Sequence, residues 1–302
     1  MSNIGDGVAL AAAPLLIASQ TRDPFLISLA ALAQRTPWLF IGLYAGVLAD
    51  QVDRRRLIVI GNGVRAIVLT GLTATIVGDR VDVTIVLAAL FVLATAEVFV
   101  DISTGTLLPM IVSSDDLTIT IFTFNLAFGA LIALLVLLSI ERLGLGELGF
   151  GLLTSASAGG AVIGSVLYVR AERAIGMVWI MRIGLVIETL TYLVFALTTV
   201  GWIAMAMFFL FGIHSAMWGT TSTTVRQRAV PAALQGRISS VYLVAVQGGI
   251  AIGAALGGVI SSIWGVARAY WFAFAISAAA LAAIWRELRH IEEDPAGSSA
   301  VE

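Results

Sequence analysis

An all-α polytopic membrane protein of about ten transmembrane helices is the fold class this sequence predicts, on three observations. The first is composition: of 302 residues 59% are hydrophobic and only 12% charged, with a mean hydropathy of +1.00. A soluble domain averages about 25% charged residues. The second is a series of ten apolar segments, nearly all able to cross the roughly 30 Å hydrocarbon core that about 20 helical residues span. The third is the placement of the 17 basic residues, all arginine.

The segments run roughly over 3–20, 25–48, 57–77, 83–108, 122–140, 147–169, 178–197, 202–224, 238–262 and 268–287. Lipid offers the backbone no hydrogen bonds, so glycine-tolerant runs of this length are read as helices. If the charged turn Asp50–Arg56 is inside, the inside connections and tail hold ten arginines. The outside connections hold four, Arg22, Arg80, Arg142 and Arg268. By the positive-inside rule both termini are then expected in the cytoplasm of a bacterial-type inner membrane. Arg35, Arg65 and Arg182 fall within segments.

Taken in order, the first segment is short: Asn3 to Gln20 gives about 27 Å of helix, with Asp6 near its start. No basic region precedes it, so no cleavable signal peptide is expected. Leu108-Pro109-Met110-Ile111-Val112, followed by Leu117, is echoed by Gln227-Arg228-Ala229-Val230-Pro231, followed by Leu234. After Leu234 comes Gly236-Arg237 and a helix with Gly249, Gly253 and Gly257 four apart; after Leu117 no such helix arrives. Transporter folds are commonly paired halves, so the first half is expected to lack a helix pair. Loss of two helices preserves inside/outside parity. The division is 1–120 for a four-helix N-terminal half-bundle and 121–290 for a six-helix C-terminal bundle. Residues 291–302 read as a disordered cytoplasmic tail.

Several classes are excluded. No cysteine is present, which removes disulfides, thiolate metal sites and cysteine nucleophiles. A net charge of −2 gives no reason to expect nucleic acid. Gly144-Leu145-Gly146-Glu147-Leu148-Gly149 spells a dinucleotide fingerprint, but it joins two membrane segments with no preceding strand and reads as an outer turn. The pairs Gly42/Gly46 and Gly160/Gly164 and the Gly249–Gly257 series read as close helix packing. Asp115-Asp116 lacks the further ligands of a metal or diphosphate site. An intramembrane enzyme would need a paired-aspartate, zinc-histidine or aspartate-rich motif, and none is found; no enzymatic activity is expected.

The order Gly46-Val47-Leu48-Ala49-Asp50 followed by Arg54-Arg55-Arg56 resembles the signature loop between helices two and three of major facilitator superfamily transporters. Gln51 and Asp53 depart from its usual pattern. Asn3 to Gly7, Gln34 to Trp38 and Glu97 to Asp101 resemble the N-terminal half of a drug- and siderophore-exporter branch that includes enterobactin-exporter-like and macrolide-efflux-like proteins. Asn125 to Gly129, Leu143 to Leu153, His214 to Thr224 and Val230 to Ser239 resemble its C-terminal half. The resemblance implies a twelve-helix fold from which helices five and six and the start of helix one are missing here. It implies proton-antiport efflux of a small amphipathic organic molecule by alternating access. The expected partners are then that substrate and the lipid bilayer, with a proton gradient and no cofactor, in a monomer. It also implies a gate in which Arg54 bridges to Asp101 while Asp50 sits at the N-terminus of the glycine-rich helix of the other half, favoured by its dipole. Without the resemblance, the same loop is a solvated turn.

Ionisable groups within the membrane imply a partner or a water-filled path. Asp6 and Arg35 lie at similar depth and pair either beside a central cavity or as a purely structural ion pair. Glu97 stands one turn from Asp101, as a proton site whose mutual repulsion raises one pKa, or with separate partners such as Arg65. Glu188 and His214 lie on adjacent segments near mid-membrane, either for proton coupling or as packed hydrogen-bond partners. Trp218, one turn from His214, lines the same cavity or packs. A chain lacking two helices has a second reading, that of a non-transporting remnant.

Overall fold

The computed structural model describes residues 12–51, 54–104, 115–229 and 235–285, and among them the chain is helical nearly throughout, with no strand. We label the helices α1 (12–20), α2 (Pro24–Gln51), α3 (Arg54–Val77), α4 (Val83–Thr104), α5 (Asp115–Leu137), α6 (Gly146–Leu197), α7 (Gly201–Ala229), α8 (Gln235–Trp264) and α9 (Val266–Ile284). Eight of them, α2 to α9, are long and apolar enough to cross a membrane. Among the described residues the fold is an all-α polytopic bundle.

Helix α6, at 52 residues, is two crossings rather than one. Its helical geometry breaks only at Gly176, with φ 77° and ψ 164°, a conformation open to glycine because it carries no Cβ. Gly164, twelve residues before the break, lies against Ile213 of α7, and Gly184, eight residues after it, lies against His214. Two limbs that meet the same turn of α7 from either side of Gly176 must fold back on each other. The sequence places a turn over 170–177; the structure contracts it to one residue. The π-helical turn Leu138–Arg142 closes α5. The glycine run after it is indeed a turn, with Gly144 and Gly146 both at φ 64°.

Packing inside the second half uses missing side chains. A Cβ on Gly160 would lie 3.0 Å from the Phe209 carbonyl carbon, and one on Gly164 would lie 2.5 Å from Ile213 O. On α8 a Cβ at Gly249 would lie 2.6 Å from Phe122 O, and one at Gly253 2.7 Å from the Leu126 carbonyl carbon. These distances are below van der Waals contact, so α6 and α7, and α5 and α8, approach as closely as small residues permit. The Gly160/Gly164 and Gly249–Gly257 readings are borne out; Gly42 and Gly46 lie where only the backbone is described.

The main core joins the two halves at one end of the bundle. Ile17 of α1, Ile27 of α2 and Val86 and Leu90 of α4 share it with Leu131 to Leu138 of α5, Phe195, Phe208 and Tyr270. All sit toward the end opposite the Asp50 turn. Helix α5 is buried on every side there, as a helix apolar all round should be, and the Tyr270 hydroxyl donates to Leu131 O at 3.2 Å. At the same end a Cβ on Gly258 of α8 would come within 2.7 Å of Ser28 Cβ on α2. That end of the bundle is sealed. Arg142 closes the end of α6 there, donating to Thr198 O at 2.9 Å and to the Ala196 carbonyl.

Candidate functional site

The buried polar centre of the second half is built on α6 and α7. Glu188 on the second limb of α6 points at α7, where its Oε2 lies 3.3 Å from His214 Nε2. Its other oxygen, Oε1, accepts a 2.8 Å hydrogen bond from the hydroxyl of Tyr192. Glu188 and Tyr192 are four residues apart and so share one helix face. Both acidic oxygens therefore have a partner, as a carboxyl group in the membrane requires. The carboxyl–imidazole contact accommodates a proton on either group, either an ionised Glu188 accepting from Nε2–H or a protonated one donating.

Packing fixes the imidazole. Gly184 sits under it, where a Cβ would come within 2.6 Å of Cε1 and closer still to Nδ1. The ring meets Phe211 edge-on, with centroids 6.0 Å apart, and lies tilted against Trp218 at 5.9 Å. Phe211 stacks in turn on Phe128 of α5, centroids 5.8 Å apart. Trp218 packs with Phe124, Met181 and Leu185 in a small separate cluster. Beside the pair, Thr189 on α6 and Ser277 on α9 are joined at 2.8 Å.

A second polar contact crosses between the halves. Arg35 of α2, half-buried, directs Nη1 to Oε1 of Gln247 on α8 at 3.5 Å, the outer limit for such a bond. Glu97 of α4 is close enough for its charge to act on Arg35. Arg35, Glu97 and Gln247 thus mark one region where α2, α4 and α8 face one another.

The other predicted positions are placed by backbone alone or not at all. Asp6, and with it the proposed Asp6–Arg35 pair, lies outside the described residues. Gly46 and Asp50 fall in the last turns of α2, Arg54 opens α3 and Asp101 lies in the last turn of α4; the contacts of their side chains lie outside what is described. Tyr192, Gly184 and Gln247 are not singled out by the sequence. The four-residue spacing of Glu188 and Tyr192 is the signal that finds the first. No group of three or more metal-ligating side chains occurs among the described residues.

Eight helices long and apolar enough to cross a membrane, around a buried carboxyl–imidazole pair, mark an integral membrane protein. The chain belongs to the transmembrane secretion effector family of major facilitator transporters, which it matches over residues 1–122 and again over 108–301. No curated protein matches it.

Proposed function

We propose that the protein is a secondary active exporter of a small amphipathic organic molecule, working by alternating access and coupled to proton entry. The observation that carries this reading is the Glu188–His214 contact, a carboxyl and an imidazole 3.3 Å apart and buried in the membrane. Histidine is the side chain whose ordinary titration falls near neutrality, and an intramembrane acid is by default a functional group. The close packing at one end supports alternation, in which a carrier closed there loads from the side of the Asp50 turn. On the arginine count that side is the cytoplasm, the side from which an exporter loads. Arg35, Glu97 and Gln247 line the seam between halves where a midplane substrate would sit, and the gate residues Gly46, Asp50, Arg54 and Asp101 would close the opposite end.

The test is efflux of a fluorescent amphipathic cation from proteoliposomes under an imposed pH gradient. Glu188→Gln is expected to abolish gradient-driven flux while leaving the protein folded, and Asp50→Asn to slow it. Undiminished gradient-driven flux in Glu188→Gln removes the coupling role.

A second reading, a remnant that inserts but does not transport, is favoured by one observation. The family match comes in two stretches, and among the described residues α3 packs chiefly against α4, with most of its surface open. A chain with a helix pair restored after residue 108 distinguishes the readings: flux only in the restored chain selects the remnant.

A further inference from the structure

Arg182 is a cation the coupling site does not use. It lies on the second limb of α6, about 9 Å along the helix from the break at Gly176, and is only 6% exposed. Its guanidinium carbon stands 5.4 Å from the ring of Trp179 and 5.1 Å from that of Trp285, which follows the last residue of α9. Nη2 donates to Trp285 O at 3.1 Å, and Nε is buried with no partner. Among the described residues no carboxylate pairs with it.

A structural role as cap for α9 accounts for one donor of the five a guanidinium carries. Among the described residues it leaves a buried charge without a counter-ion and a donor without an acceptor, each of which is costly. Two indole faces offset part of that cost. The remainder calls for an oxyanion. The site's address says which kind: Trp179 is half exposed beside the exposed Ile183, and Arg170 and Arg173 lie exposed at the end of the first limb, next to the same fold-back. Tryptophan at a helix end marks the headgroup level of the bilayer, and basic pockets between transmembrane helices on the arginine-rich side suit anionic headgroups. The guanidinium fork matches phosphate oxygens.

We propose that Arg182, Trp179 and Trp285 form a phosphate site between α6 and α9 that holds the headgroup of an anionic phospholipid. The phosphate tightens the α6–α9 contact at that end, across which the Thr189–Ser277 bond also lies. The site is independent of the coupling reading.

The experiment titrates the purified full chain, in micelles with phosphatidylcholine, with phosphatidylglycerol or with inorganic phosphate, and counts retained ligand by native mass spectrometry. Phosphatidylglycerol is expected to be retained on the wild type and bound about tenfold more weakly by Arg182→Gln, the loss expected of a charge-assisted bond. Arg80→Gln, at an exposed arginine in the turn between α3 and α4, is expected to change little. Trp179→Leu, which opens one wall and keeps the cap, is expected to weaken retention as well and carries the test if Arg182→Gln does not fold. Inorganic phosphate that binds the wild type and displaces the lipid places free phosphate at the same site; phosphate binding with no lipid retained overturns the headgroup assignment. Equal retention by wild type, Arg182→Gln and Trp179→Leu, or an equal loss in Arg80→Gln, overturns the site.

Discussion

The seat of His214 gives a substitution whose sign should reverse with its background. In Gly184→Ala the new methyl would lie 2.6 Å from Cε1, against 3.4 Å for ordinary contact, so the imidazole has to retreat by at least about 0.8 Å. Gly184 and Glu188 share a helix face, so a ring pushed off one is pushed off the other. The 3.3 Å contact to Glu188 then opens beyond hydrogen-bonding range. Losing a buried bond to an ionisable group costs roughly 1.5–3 kcal/mol. Replacing a mid-helix glycine with alanine returns about 1 kcal/mol. The net effect in the wild type is a loss of roughly 0.5–2 kcal/mol. In a His214→Ala background the clash is gone and only helix preference remains, so Gly184→Ala should stabilise by about 1 kcal/mol. Denaturant unfolding in a fixed micelle, run on wild type, both single variants and the double, measures the difference as a coupling energy. Equal destabilisation by Gly184→Ala with and without His214 refutes the steric seat.

Four further outcomes follow from the packing. Gly253→Ala drives a methyl into the α5 backbone at Leu126 and should destabilise by about 1–3 kcal/mol, as overpacking does. Gly63→Ala on α3, where a Cβ meets nothing within 4 Å, should be neutral or stabilising by up to about 1 kcal/mol, and the two are compared by thermal unfolding. Because the chain has no cysteine, Ser28→Cys with Gly258→Cys reports the sealed end without background. The Cβ separation of 2.7 Å is shorter than the roughly 3.5–4.5 Å of a disulfide, so α2 and α8 must part by about 1 Å, and oxidant should still link them, slowing flux if that end opens in transport. Arg142→Met strips the α6 end of its donors to Ala196 and Thr198 and should lower stability by roughly 1–3 kcal/mol, seen as an earlier unfolding transition.

Depth along a helix was legible in the sequence; direction around it was not. Counting residues from the arginine-flanked ends located each crossing and put Glu188 and His214 at one level on adjacent segments. That sufficed for their contact because neighbouring antiparallel helices leave few alternatives. Tyr192 is a fully buried aromatic in an apolar run and looks like core until its spacing from Glu188 is considered. The role of Gly184 depends on where α7 places an imidazole 30 positions later in the chain, which no local pattern encodes. Gln247 meets Arg35 across 212 residues, and its sequence signal is only that of an uncharged amide in a glycine-rich helix. The turn at 170–177 was overestimated because its polar residues, Arg170, Glu172 and Arg173, read as loop; they instead extend the first limb beyond the apolar span, where charge is solvated.

The open surface of α3 bears directly on whether an incomplete first half can exist in a membrane. Val59, Ile60, Ile67 and Val77 are 64, 61, 74 and 82% exposed. In water such a helix face would be an aggregation site, but lipid tails are as apolar as these side chains and penalise none of them. Uncharged polar side chains on α3 bond to their own helix: Asn62 donates to Ile58 O, Thr70 to Ala66 O and Thr73 to Leu69 O, each within one turn. The open apolar face of α3 therefore carries no large penalty for insertion. Stability and transport are thereby separable in this chain, and a folded, inserted protein is compatible with either full flux or none; the polar centre at Glu188 and His214, buried wholly within the second half, would persist in both.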